Sequence, residues 1–153
     1  KNKKGIVIIV NKWDLVDKQT NTHLDFERQI KERIAPFNDV PIIFTSVHEK
    51  QRIFKTLELA SEVYNRRSQQ IATSKLNDIL LPIIENTPPP AASRGRYVKI
   101  KYIMQLKTAT PQFVFFCNLP DDVKESYRRF LENKIRKNYD FIGVPIQLFF
   151  RKK

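Results

Sequence analysis

The chain has 153 residues, with 28 Lys or Arg against 16 Asp or Glu, and its net charge is +12. With 41% hydrophobic and 29% charged residues it is neither a disordered nor a membrane-spanning chain, and its single cysteine, Cys117, excludes an internal disulfide and indicates a reducing, cytoplasmic compartment. The excess positive charge favours a polyanionic partner, most simply nucleic acid, and no membrane partner is expected.

The first 70 residues alternate between strand and helix patterns. In chain order they predict a buried strand at Gly5–Val10, a helix at His23–Ala35, a strand at Val40–Phe44 and a helix at Lys50–Arg67. This order is half of a doubly wound α/β domain, and four elements cannot close such a sheet alone. Because the chain also starts without Met, we expect a piece of a longer protein.

Residues 71–153 have a different pattern. In chain order they predict a helix at Ile71–Ile84 that kinks or stops at Pro82, a turn-rich connector at Asn86–Arg96, strands at Tyr97–Leu106 and Gln112–Asn118, a helix at Asp121–Asn138 and a strand at Ile146–Phe150. The first two strands are expected to form a hairpin. The unit is therefore predicted to be an α+β sandwich with helices on one face of the sheet.

Three finer expectations follow for this second unit. The alternation in its first strand predicts a buried side and an exposed side that carries Lys99 and Lys101; the buried side holds Val98, Ile100, Tyr102, Met104 and Leu106. Asp121 and Asp122 are expected at the positive end of the long helix dipole. The unit has a net charge of +8, against +4 for residues 1–70, so the polyanion argument rests on it.

Asn11, Lys12 and Asp14 directly follow the first predicted strand, where doubly wound folds place ligand-binding residues. An Asp carboxylate accepts hydrogen bonds from the N1–H and 2-amino groups of guanine, which adenine does not offer. The Asn amide can bond the other edge of the base or the neighbouring loops, and the Lys stem can cover the ring. The alternative is a turn in which Asn and Asp cap the loop. The position after an apolar strand favours guanine binding.

The second predicted strand leads into Thr45-Ser46-Val47-His48. GTPases of this fold have an S-A-K/L type loop there, whose backbone and Ser side chain support the base. Ser46 matches that loop, whereas Val47 replaces Ala and His48 replaces the third residue. An exposed loop residue is an equal alternative for His48. Trp13 is expected to serve in packing or as partial cover, rather than as a specific contact to the base.

Six segments carry a resemblance to a known family: NKWDLVDK, FTSVHEKQRIFKTLE, QIATSKLNDIL, YVKIKY, FVFFCN and SYRRFLENKIRKNYDFIGVPIQLFFRKK. They resemble the C-terminal part of the Der (EngA) family, bacterial GTPases with two consecutive G domains and a C-terminal KH-like domain that act in large ribosomal subunit assembly. The resemblance covers the whole chain. It implies that residues 1–70 end the second G domain, as the C-terminal half of a P-loop-type doubly wound sheet, and that residues 71–153 form an α+β KH-like domain.

The resemblance also implies cofactors and partners. The cofactors would be GTP and GDP, with Mg²⁺ in the intact parent, and the partners would be the remaining G domains and ribosomal RNA of the large subunit. However, the sequence has no G-x-x-x-x-G-K-[ST] segment to hold phosphates and Mg²⁺. We therefore predict base contacts by Asn11, Lys12, Asp14, Ser46, Val47 and His48, with no catalytic residue and no metal ligand. The chain alone is expected not to hydrolyse GTP.

The second unit lacks the GXXG loop with which KH domains clamp RNA, so RNA contact requires another surface. The candidates share a positive charge: Lys99, Lys101, Arg128, Arg129, Arg136, Lys137, Arg151, Lys152 and Lys153. For each one alone, a solvated surface residue is the alternative. The alternative for the whole chain is a stand-alone module that binds RNA or protein and in which NKWD is structural.

Overall fold

The computed structural model describes residues 3–17, 21–92 and 95–152, so Lys153, a predicted RNA contact, lies outside the described residues. The elements are β1 (Ile8–Val10), α1 (Thr22–Ile34), β2 (Ile42–Phe44), α2 (Ile53–Ser68), α3 (Thr73–Asn86), β3 (Ile100–Gln105), β4 (Gln112–Cys117), α4 (Glu125–Asn138) and β5 (Gln147–Lys152). The described residues thus form a mixed α/β protein with two small sheets and four helices. One compact unit extends to Arg67 and includes Phe141–Pro145, and the other comprises Ser68–Asp140 and continues from Ile146.

The first unit contains a two-stranded parallel sheet. Ile8 of β1 lies opposite Ile42 of β2, and Val10 lies opposite Phe44. The prediction that the first strand is buried on both faces is wrong for these residues, since Ile9 is 52% exposed. Two short strands and two helices do not supply enough neighbours to cover both faces of such a sheet.

Gly143 occupies a constrained position in the first unit. Its φ is +76°, its N–H donates to the Asp39 carbonyl at 2.7 Å, and its carbonyl accepts from the Ile6 N–H at 2.8 Å. A Cβ at this position would lie 2.8 Å from the Ile6 carbonyl oxygen and 2.9 Å from Cδ of Pro41. Both the backbone conformation and the space therefore require glycine.

We expect Gly143→Ala to destabilise the first unit by about 2–3 kcal/mol, because left-handed backbone strain and steric overlap add. Fluorescence of Trp13, the one tryptophan and a buried residue of this unit, reports its urea unfolding. Gly95→Ala is the matched control: its φ is +70°, but nothing lies within 4 Å of the added Cβ. The control should lose only about 1 kcal/mol by circular dichroism. Equal losses of stability in Gly143→Ala and Gly95→Ala would contradict the steric overlap expected at Gly143.

The second unit is built on the sheet β3-β4-β5. The predicted hairpin is confirmed: β3 and β4 are antiparallel, and β5 then adds to β4 in parallel. One face of the sheet and the two helices α3 and α4 contribute side chains that are completely buried: Leu76, Leu80, Phe113, Phe115, Leu131 and Ile135. The core of this unit therefore lies between the helices and one face of the sheet, as the sequence predicts.

A bulge in β3 changes which residues face the core. Phe116 and Cys117 are adjacent in β4, but they pair with Tyr102 and Ile100, so Lys101 is an extra residue. An extra residue reverses the alternation of sides beyond it. The predicted burial of Tyr102 is therefore wrong, and its side chain is 39% exposed. The same reversal leaves Met104 half-buried and buries Ile103 and Gln105.

Two predicted helix ends are also corrected. Helix α3 continues through Pro82 to Asn86, so the predicted stop at the proline is wrong. Helix α4 begins at Glu125, because Asp121 and Asp122 belong to a separate 3₁₀ turn at Pro120–Asp122. Glu125, rather than the two aspartates, is thus the acid in the first turn of α4. In the described ranges, no helix combines the length and apolar character that crossing a membrane requires.

Candidate functional site

The loops that follow β1 and β2 meet at one edge of the first sheet, because the strands are parallel. The Thr45 N–H donates to the Val10 carbonyl at 2.8 Å, and the Trp13 N–H donates to the Thr45 carbonyl at 3.0 Å. The Thr45 hydroxyl also contacts Oδ1 of Asn11 at 3.5 Å. These contacts hold the NKWD segment against the second loop.

Trp13 anchors the first of these loops. Its side chain is buried, edge-on to Phe26 at 5.4 Å and at 4.4 Å from Phe44, measured between ring centroids. The packing role predicted for this tryptophan is confirmed. It lies between Lys12, whose φ is +59°, and Asp14, which is half-buried in a 3₁₀ turn at Trp13–Leu15. The buried ring thus fixes the backbone on which both charged residues are presented.

The second loop is closed by its own hydrogen bonds. Ser46 is completely buried, its hydroxyl accepts from the Glu49 N–H at 3.0 Å, and it exchanges backbone hydrogen bonds with Gln51. Lys50 and Arg52 both have positive φ, of +51° and +59°. Non-glycine residues in this conformation are strained and concentrate at functional sites. The loop is therefore held in one specific shape.

The two loops form a cavity of about 360 Å³ lined by Asn11, Lys12, Asp14, Leu15, Val47 and His48. This volume is at the small end of the range of roughly 300–1,000 Å³ for small-ligand sites. The structure thus brings together five of the six residues predicted to contact the base, and Ser46 supports the loop from behind. Leu15 was missed, because its contribution depends on the 3₁₀ turn that the sequence did not predict.

The side chains that line this cavity differ in polarity and in exposure. Asp14 contributes a carboxylate, of which Oδ1 is buried, while Leu15 and Val47 are apolar and 75% and 63% exposed. His48 is 88% exposed in its side chain and its Nδ1 lies 3.3 Å from Oε1 of Glu49. The described residues hold no cluster of three or more His, Cys, Asp or Glu that could bind a metal. The cavity lining thus combines a carboxylate, a carboxamide, an ammonium group and apolar side chains.

The predicted RNA contacts fall into two sets. The first lies at one end of the second sheet, because the start of β3 and the ends of β4 and β5 coincide there. Lys99 accepts a backbone hydrogen bond from Asn118 just beyond β4, while Arg151 and Lys152 pair with Phe116 and Cys117. The first set comprises Lys99, Lys101, Arg151 and Lys152, all exposed.

The second set lies on α4 and comprises Arg128, Arg129, Arg136 and Lys137. The first three contact other groups of the second unit. The Arg128 guanidinium lies 4.5 Å from the centroid of the Phe150 ring, and its Nε donates to the Val123 carbonyl. Arg129 pairs with Glu125 at 3.6 Å, and Arg136, only 14% exposed, pairs with Glu132 at 3.1 Å. The fourth member, Lys137, is exposed. The helix set is thus partly neutralised by acids of the same helix.

The geometry defines a class of protein: an α/β segment with a base-sized cavity, followed by an α+β unit with a basic sheet end. Residues 70–151 match the family described as "KH-domain-like of EngA bacterial GTPase enzymes, C-terminal". The chain belongs to this EngA (Der) family, which confirms the resemblance seen in its sequence.

Relatives named GTPase Der align with the whole chain. The chain is 60% identical over 153 residues to the protein of Christiangramia forsetii and 60% identical over 153 residues to that of Flavobacterium psychrophilum. It is 56% identical over 154 residues to the protein of Porphyromonas gingivalis. Each alignment covers 100% of this chain but 35% of the relative, so the chain spans about a third of the length of these relatives.

Proposed function

We propose that residues 1–70 are the C-terminal part of a G domain and residues 71–153 the KH-like domain of a cytoplasmic GTPase in large ribosomal subunit assembly. The observation that carries this proposal is the cavity between the loops after β1 and β2, lined by Asn11, Lys12 and Asp14. Its position at the carboxyl edge of a parallel sheet is where such folds bind nucleotides.

In this proposal the chain selects the base and other parts of the protein perform the chemistry. The Asp14 carboxylate accepts from N1–H and the 2-amino group of guanine, and the Lys12 stem covers one face of the ring. Ser46 holds the second loop, with Val47 and His48 at the rim of the cavity. Segments outside this chain would bind the phosphates of GTP and Mg²⁺, so we expect no hydrolysis by the 153 residues alone.

Exposed apolar side chains support the view that the first unit is part of a larger domain. Ile9 on β1 is 52% exposed, and Phe54 and Leu57 on α2 are 81% and 66% exposed. Phe54 and Leu57 are three residues apart on α2, and large apolar side chains exposed together on one helix face mark a surface that packs against something else. The remaining strands and helices of the same G domain would supply the cover.

The KH-like domain would bind ribosomal RNA through its basic surface. RNA binding by the 153-residue chain should therefore weaken with salt: the plot of log affinity against log salt should have a slope of about −2.8 to −3.6, because four neutralised phosphates contribute roughly 0.7 to 0.9 each. The four residues are the exposed strand-end set, Lys99, Lys101, Arg151 and Lys152.

Sedimentation with purified bacterial large ribosomal subunits between 50 and 200 mM KCl would measure this slope. The control is a chain in which all four strand-end residues are changed to Gln, which should leave a slope near zero. Binding that does not depend on salt, or no binding, would contradict the RNA-binding part of the proposal. The guanine-binding part is tested separately through Asp14.

A further inference from the structure

The sheet of the second unit has an aromatic row on the face opposite the helices. Register places Tyr102 of β3, Phe116 of β4 and Arg151 of β5 side by side. The Tyr102 and Phe116 ring centroids are 5.9 Å apart, with planes inclined by 42°. Tyr102 is 39% exposed and Phe116 is half-buried, so part of this aromatic surface is open to ligands.

Positive charge flanks this row at the same end of the sheet. Lys101 is the extra residue of the bulge and immediately precedes Tyr102, while Lys152 follows Arg151 in β5. Lys101, Arg151 and Lys152 are all exposed. Within the described part of the chain, no ion pair within 4 Å joins Lys101 or Arg151 to an acid, in contrast to Arg129 on α4, which pairs with Glu125.

We propose that Tyr102 and Phe116 form a stacking platform for single-stranded RNA, with the phosphates alongside Lys101 and Arg151. Every base has a π-face that can lie on an aromatic ring, and adjacent cations bind the strand's backbone. Paired bases in a duplex are stacked on one another and cannot occupy such a platform. The platform rests on the proposed RNA binding of the KH-like domain, and it assigns that binding to the sheet rather than to α4.

The bulge is what creates this surface. If β3 had no bulge and Lys101 paired with Phe116, the regular alternation would direct Tyr102 toward the core and leave Ile103 on the open face. The insertion thus places an aromatic ring and a lysine next to each other on one accessible end of the sheet. Arg151 of β5 lies opposite Phe116 of β4 and extends the row that Tyr102 and Phe116 form.

The test is fluorescence anisotropy of a fluorescein-labelled 12-nucleotide oligouridylate with the full 153-residue chain at several KCl concentrations. Tyr102→Leu should weaken binding by about 5- to 150-fold, the range of one lost stack, without changing the salt slope. Tyr102→Phe should keep wild-type affinity. The matched control is Tyr64→Leu on α2, where the tyrosine is 63% exposed, and it should change affinity less than twofold.

The charged residues are tested by their effect on the salt slope. Arg151→Gln and Lys101→Gln should each reduce the slope by about 0.7, whereas Arg129→Gln on α4 should leave it unchanged. If circular dichroism shows that Tyr102→Leu does not fold, the salt slopes of Arg151→Gln and Lys101→Gln test the platform instead. Unchanged slopes would overturn the platform.

The outcomes separate this proposal from the one on which it rests. If the chain binds oligouridylate and ribosomal subunits but Tyr102→Leu binds as the wild type does, the platform is refuted and RNA binding stands. Equal affinity for a 12-base-pair RNA duplex would refute stacking in the same way. If neither RNA nor ribosomal subunits bind, both proposals fail.

Discussion

Replacing Asp14 by Asn is expected to weaken GDP binding at this site by at least about 100-fold and to shift its preference toward xanthine nucleotides. The carboxylate can accept from both N–H groups on one edge of guanine. An amide has one acceptor and one donor, so its NH₂ would face the 2-amino group of the base. Xanthine carries an oxygen at that position and matches the amide. The reversal of preference is thus a signature that a merely structural Asp14 would not produce.

The experiment requires the phosphate-binding segments that this chain lacks. A suitable protein is GTPase Der of Christiangramia forsetii with the 35% of its length that aligns with this chain replaced by it, a region that is 60% identical. Calorimetry with GDP and with xanthosine diphosphate measures both affinities, and any GDP site in the rest of that protein serves as an internal reference.

Asp17→Asn is the matched control for this substitution. Asp17 is exposed, lies three residues beyond Asp14 and does not line the cavity, so its substitution should leave both affinities within twofold. If guanine selectivity survives in Asp14→Asn, the guanine-binding interpretation of NKWD is wrong and its role is structural.

The Asn77 side chain on α3 makes the two backbone hydrogen bonds that a neighbouring strand would make to Ile103 of β3. Its Nδ2 donates to the Ile103 carbonyl at 2.8 Å, and its Oδ1 accepts from the Ile103 N–H at 3.0 Å. Strand β3 is at the edge of its sheet, so these two backbone groups have no neighbouring strand on that side. Ile103 is completely buried, which also keeps water away. One carboxamide therefore satisfies both groups.

Asn77→Ala is expected to lower the free energy of unfolding of the second unit by about 2–5 kcal/mol, since two buried backbone groups lose their partners. Urea unfolding followed by circular dichroism measures the loss. Asn133→Ala is the control, because Asn133 is an exposed residue of α4 and alanine is the better helix former there. The control should be neutral or slightly stabilising.

Asn77→Asp separates the donor from the acceptor. Only a protonated acid can donate to the Ile103 carbonyl, so the folded state favours the protonated form and the pKa of this side chain is higher in the folded than in the unfolded state. A group whose pKa is raised by folding favours the folded state below its unfolded pKa and loses that contribution as pH rises. The variant should therefore approach wild-type stability near pH 3.5 and lose it toward pH 7. A loss independent of pH would contradict the bidentate role of the amide.

Two further carboxamides bridge backbone groups in the same way. The Gln105 side chain donates to the Gln69 carbonyl and accepts from the Ile71 N–H, both at 2.8 Å. Asn118 accepts from the Lys99 N–H at 2.7 Å and donates to the Tyr97 carbonyl at 2.9 Å. The Asn77 and Asn118 side chains thus satisfy backbone groups in β3 and just before it, and the Gln105 side chain joins the end of β3 to the segment before α3.

The order of helices and strands could be predicted from local patterns, because hydrophobic periodicity depends on neighbouring residues alone. Leu131 and Ile135 of α4 and Phe113 and Phe115 of β4 are buried where their spacing predicts. The NKWD segment and the strand before it also placed Asn11, Lys12 and Asp14 at one cavity, since parallel strands bring their following loops to the same edge.

Tertiary structure decided what depends on partners distant in sequence. The bulge at Lys101 arises from pairing with β4, and it exposes Tyr102, which strict alternation would bury. The burial of Arg136, whose side chain is only 14% exposed, likewise depends on how α4 packs, although its partner Glu132 lies one turn away on the same helix. Leu15 lines the cavity because of a turn anchored by the burial of Trp13. Periodicity reports the average environment of an element, whereas a single inserted residue or a single hydrogen-bond partner is chosen by the three-dimensional packing.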